Sequence, residues 1–183
     1  MKIGCPFVKG MKEKIIDTER LVLRKFTVED SAFIIQLLNT EGWLKYIGDR
    51  HIKTTEQARE YLLNGPMKSY EENGFGLALV QLKSSHQPIG MCGLIKRNYL
   101  EHPDLGFAFL PEYTRLGYAL EIATAVIDHA FHELDKKEIL AITLPHNDSS
   151  IRLLKKIGFV YKNNFMTVDT KEELSLYSIS STG

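Results

Sequence analysis

The chain has 183 residues, 44% of them hydrophobic and 25% charged, a balance that suits one globular domain with a sizeable core. Lys plus Arg and Asp plus Glu both number 23, so the basic excess of a nucleic-acid binder is absent. No apolar run is long enough to span a bilayer.

The two cysteines, Cys5 and Cys92, are far apart and have no metal-type spacing; free thiols in a reducing compartment are expected, and no metal site. The expectation is a cytoplasmic protein whose partners include neither nucleic acid nor membrane.

Residues 1–14 read as an N-terminal extension, broken by Gly4, Pro6 and Gly10. Residues 15–183 read as a single domain. A strand is predicted over 19–26, and Thr27 then opens a helix with Glu29 and Asp30 at its positive end. Phe33, Ile34, Leu37 and Leu38 give that helix its apolar face. Residues 39–48 read as a loop or broken helix. A second helix begins near Thr54, with Gln57 completing a capping box, and Pro66 should end or kink it.

Residues 74–82 and 88–95 read as two strands of a hairpin, with 83–87 as the turn. A strand over 104–110 extends the meander. A long helix follows to Leu134, with Leu116, Leu120, Ala123, Val126, Ile127, Ala130, Phe131 and Leu134 on one buried face. Then come a strand over 138–144, a helix over 148–157 closed by Gly158, and strands over 159–161 and 174–179. This is an α+β (mixed α/β) order.

The loop Thr114-Arg115-Leu116-Gly117-Tyr118-Ala119 leads from strand to long helix. Amides at a helix start lack partners in the chain and favour an anion, usually phosphate. Gly117 lacks a Cβ, so a phosphate can approach the backbone closely. The loop is read as the seat of a pyrophosphate. A second strand-to-helix junction carries Asn147 and Ser150: Asn147 can hydrogen-bond cofactor amides, and Ser150 can donate a proton.

Three pieces together resemble one known family: Thr18-Glu19-Arg20-Leu21-Val22-Leu23-Arg24; Leu110-Pro111-Glu112-Tyr113 with Gly117-Tyr118-Ala119; and Asn147, Ser150, Lys156, Gly158 and Phe159. The chain resembles the GCN5-related N-acetyltransferases, most closely their RimJ/RimL-type branch, over about residues 16–180. The resemblance implies a central twisted, mostly antiparallel sheet of about six to seven strands flanked by about four helices.

It also implies acetyl-CoA as co-substrate and an amine acceptor, a small molecule or a protein N-terminus. The protein would act as monomer or homodimer. The backbone of Arg115, Leu116, Gly117, Tyr118, Ala119 and Leu120 would hold the pyrophosphate, and Asn147 would contact CoA. Phe107, Ala108 and Phe109 would pair with the pantetheine arm, where an N–H would polarise the thioester carbonyl. Thr114 departs from the family's Gln/Arg, and Arg115 stands where many relatives have glycine.

Acetyl transfer to an amine requires deprotonation of the ammonium and protonation of the departing thiolate. Some relatives use a Glu and a Tyr; Ile142 and Leu154 occupy those positions here. The branch suggests Ser150 as the donor to the thiolate. Asp104 is the first candidate base and Asp169 the second; either can equally be a plain surface carboxylate or a binder of a cationic substrate. The alternative is a non-catalytic acyl-CoA sensor or scaffold. A nucleotide-binding domain of another kind lacks support, since no Walker pattern or Gly-x-Gly-x-x-Gly occurs.

Overall fold

The structure is a computed structural model and describes residues 13–167 and 170–181. These form an eight-stranded sheet: β1 (Lys14–Asp17), β2 (Leu21–Arg24), β3 (Leu77–Leu82), β4 (Pro88–Ile95), β5 (Asp104–Phe109), β6 (Glu138–Thr143), β7 (Val160–Met166) and β8 (Glu173–Ser180). Their spatial order is β1-β2-β3-β4-β5-β6-β8-β7. Every neighbouring pair is antiparallel except β5 and β6.

The expected six to seven strands are thus eight among the described residues. The addition is β1, an edge strand with two isoleucines between Lys14 and Asp17. It is too short to show an alternating pattern, and its register with β2 shifts between Lys14 and Ile16. Pairing, not pattern, creates it.

Among the described residues five helical bodies replace the expected four: α1 (Ser31–Leu38), α2 (Glu41–Tyr46), a bent helix, α5 (Tyr118–His132) and α6 (Asp148–Ile157). The bent helix joins α3 (Thr55–Leu62) to α4 (Lys68–Asn73) through a π-helical turn, Leu63–Met67. Pro66 lies in that turn: its missing N–H opens the hydrogen-bond ladder without ending the helix. The extra body, α2, is capped by Thr40, whose hydroxyl accepts from the Trp43 N–H at 3.3 Å.

Local signals held elsewhere. Thr54 and Gln57 form the reciprocal capping box of α3. Gly158, at φ 111°, closes α6 in the left-handed conformation. Leu116 is a correction: it precedes α5, which begins at Tyr118, and stands 52% exposed. Ile122, fully buried, joins Ala123, Val126, Ile127 and Ala130 in the core.

Two cores flank the sheet. Ala78, Val80, Leu105 and Ile139 pack with α5 and α6, whereas Leu79 and Met91 pack with α1, α2 and α3. Cys92 is fully buried in the first, where desolvation pushes its thiol up to about 12. This is a packing position. On the other side Arg24 grips Asp30 with two bonds of 2.9 and 2.8 Å, and both side chains are buried. The pair ties the start of α1 to β2.

Candidate active site

β5 and β6 run parallel, but their register consists of one pair, Asp104 with Leu140. The Leu140 N–H donates to the Pro103 carbonyl at 2.9 Å. Among the described residues no later pair joins the two strands, so they part toward their C-terminal ends. At the far end Leu110 N–H turns back to the Ile89 carbonyl of β4. Strand alternation then directs the main-chain groups of Leu105, Phe107 and Phe109 to the β6 side, and those of Ala108 to β4. Phe107 and Phe109 therefore offer unshared donors and acceptors to the gap, while Ala108 packs its methyl on the α1–α3 side.

α5 follows β5 and α6 follows β6, so the parallel strands put both helix starts at the open end of the gap. At the first, Arg115 and Gly117 have φ of 61° and 85°. Left-handed residues in a loop of this kind can gather successive amides on one side, a geometry suited to an anion. The first helical acceptor bond of α5 is from Glu121 N–H to the Gly117 carbonyl at 3.0 Å. Among the described residues no side chain caps the helix, which leaves the amides of Tyr118, Ala119 and Leu120 without intrahelical acceptors. Thr114 spends its hydroxyl on the Pro111 carbonyl, 2.7 Å away, and supplies no cation.

At the second helix start, Asn147 Oδ1 accepts from the Ser150 N–H at 3.2 Å and from the Ser149 hydroxyl at 2.9 Å. Capping uses only the oxygen. Asn147 Nδ2 and the Ser150 hydroxyl have no hydrogen-bond partner among the described residues. Both are partly buried. Leu154, one turn later, is core.

Asp104 stands apart from this group, at the closed end of the gap. It is 1% exposed, and its Oδ1 accepts from Arg97 Nε at 2.9 Å. Burial raises the Asp104 carboxyl above the ordinary carboxylate range, and the Arg97 cation acts against that rise. The rise of a strand puts Asp104 on the order of 15 Å from Phe109. Asp169 lies outside the described residues. His51, His86 and His146 are exposed; His146 stands 6.4 Å, ring to ring, from Tyr46 of α2.

Two features were not found from the sequence. Tyr99, in the link from β4 to β5, reaches Phe165 of β7 at 6.3 Å between rings. Arg20 stands against Gly117: a Cβ there would lie 3.2 Å from Arg20 Nη2. The Thr-Glu-Arg-Leu run was visible, but nothing in it identifies a partner 101 positions later.

Residues 20–160 match the family model of the acetyltransferase (GNAT) domain. The chain belongs to the GNAT acetyltransferases. It is 27% identical over 171 residues to the uncharacterized N-acetyltransferase YoaA of Bacillus subtilis (strain 168), spanning 90% of this chain and 96% of that one. A GNAT-family acetyltransferase from Bacillus anthracis superposes with a TM-score of 0.74 at 26% identity, over 90% of this chain and 97% of that one. RimL, a ribosomal L7/L12 α-N-protein acetyltransferase solved in complex with coenzyme A, superposes with a TM-score of 0.80 over 92% and 98%. At 13% identity that likeness is one of fold.

Proposed function

We propose that this protein is an N-acetyltransferase of the RimJ/RimL-like branch, moving acetyl directly from acetyl-CoA to a primary amine. One observation carries the reading: β5 and β6 pair only through Asp104 and Leu140, and two helix starts flank the gap beyond. A parted strand pair offers an extended thiol arm the main-chain partners that a sheet neighbour would otherwise take. The amides after Gly117 suit the pyrophosphate. Asn147 Nδ2 suits an amide carbonyl of the arm.

In the reaction the amine nitrogen bonds to the thioester carbon and the carbon–sulfur bond breaks. When bound, acetyl-CoA supplies the acetyl group and the leaving thiolate. A main-chain N–H of Phe107 or Phe109 polarises the carbonyl. The Ser150 hydroxyl delivers a proton toward the sulfur, directly or through water. The proton lost by the ammonium leaves through water, because Asp104, proposed from the sequence as the base, is buried and bonded to Arg97 at the closed end of the gap, out of direct reach of Phe107 and Phe109. The acceptor is a protein N-terminus or a small-molecule amine. The protein works in the cytoplasm as monomer or homodimer.

A second reading, a non-catalytic acyl-CoA sensor, draws on the apolar residues Ile142 and Leu154 where some relatives place acid–base groups. The test is release of free CoA thiol from acetyl-CoA across amines and N-terminal peptides, with mass spectrometry of the acceptor. Thiol release coupled to an acetylated acceptor supports the enzyme. Tight CoA binding with no release supports the sensor.

A further inference from the structure

Arg20 lies in the turn between β1 and β2, far in sequence from α5, and is locked to it. The Glu121 carboxylate takes Oε1 bonds from Thr18 Oγ1 at 2.6 Å and from the Arg20 amide at 2.8 Å. Its Oε2 takes one from Arg20 Nε at 2.7 Å. Arg20 Nη1 donates to the Leu116 carbonyl at 3.1 Å, and the guanidinium carbon stands 4.5 Å over the Tyr118 ring. Side chains this long lose much rotamer freedom when fixed. Here three side-chain contacts, with a fourth from the backbone amide, fix one half-exposed arginine. Nη2 is left over: it has no acceptor among the described residues and faces the Cα of Gly117.

We propose that Arg20 is a phosphate ligand of the acyl-donor site, reaching from the β1–β2 turn to the pyrophosphate held by the Gly117 loop. This rests on the acetyl-CoA reading above and adds to it. The loop's own first position, Thr114, is engaged with Pro111 and carries no charge. Arg20 supplies that charge from another element. Glu121 sets the plane of the guanidinium, and Arg20 neutralises a carboxylate that would repel phosphate one turn into the helix.

The test compares wild type with Arg20→Gln, which keeps the aliphatic stem. Calorimetry measures the binding of CoA and 3′-dephospho-CoA, and turnover is measured with acetyl-CoA and with S-acetylpantetheine, which has no phosphate. The expected result is about tenfold weaker binding of both CoA and 3′-dephospho-CoA, with S-acetylpantetheine turnover unchanged. Arg20→Lys, which keeps the charge, recovers part of the affinity. Equal losses with S-acetylpantetheine make Arg20 a structural clamp and overturn the inference. Loss with CoA alone moves the contact to the 3′-phosphate and overturns the pyrophosphate assignment. Unchanged affinity in a wild type that binds CoA overturns the Arg20 role alone, whereas no CoA binding by wild type overturns the acetyl-CoA reading beneath it.

Discussion

Asp104 and Leu140 form the one registered pair that joins β5 to β6, and the strands part beyond it. The remaining β5 edge is held rigidly from behind by six paired positions of β4, from Gly90–Phe109 to Ile95–Asp104. A rigid edge with unshared main-chain groups can take an extended ligand at little reorganisation cost. Four consequences can be measured.

Gly117→Glu is expected to weaken CoA binding by on the order of a hundredfold or more, since it places a side chain and a negative charge where the loop faces phosphate. The residue at φ 85° has little room, with Arg20 Nη2 only 3.2 Å from the new Cβ. Calorimetry on the folded variant reads the result. Unchanged affinity contradicts the pyrophosphate assignment.

Ser150→Ala is expected to lower kcat on the order of a hundredfold while leaving the KM for acetyl-CoA nearly unchanged. The cap of α6 uses the Ser150 amide, which alanine keeps, so the helix should hold. Steady-state kinetics separates the two constants. A rise in KM at constant kcat would make Ser150 a binding residue instead.

Arg97→Gln carries a signed pH dependence. Burial raises the Asp104 pKa, so Asp104 favours the fold at pH below its unfolded value, and that contribution is lost as pH rises through the raised value. Arg97 limits the loss by lowering the pKa. Without it the variant should be less stable than wild type near neutral pH, by about 2 kcal/mol, because a buried carboxylate loses a charged hydrogen-bond partner. The gap should narrow as acid protonates Asp104. Urea midpoints at pH 7.5 and 5 check this. A gap that widens in acid contradicts the assignment.

Asp30→Ala is expected to cost about 3–5 kcal/mol, the penalty for leaving the buried Arg24 guanidinium without its carboxylate. The same carboxylate accepts from the Thr27 N–H at 2.9 Å, so the start of α1 should also fray. Chemical denaturation measures it. A change within about 0.5 kcal/mol, as at an ordinary surface site, contradicts the reading.

What was legible follows from range. The hairpin of β3 and β4, the capping boxes and Gly158 depend on residues a few positions apart, and sequence patterns record such neighbours. β1 has only two apolar residues and takes its form from β2. The gap itself leaves no trace, because β5 keeps the same alternation whether its far edge is paired or open. Asp104 was legible as a carboxylate near a strand start, but not its burial or its bond to Arg97. The engagement of Glu121 left no local trace, because its Thr18 and Arg20 partners come from a turn about a hundred residues earlier. Gly117 and Asn147 were legible as helix starts because helix starts have a local signature.

The most direct measurement is a crystal structure of the protein with CoA. The pyrophosphate is expected within hydrogen-bond reach of the amides that follow Gly117. The pantetheine arm is expected between β5 and β6, bonded to the main chain of Phe107 or Phe109. CoA seated elsewhere, with β5 and β6 paired beyond Asp104 and Leu140, would contradict both expectations.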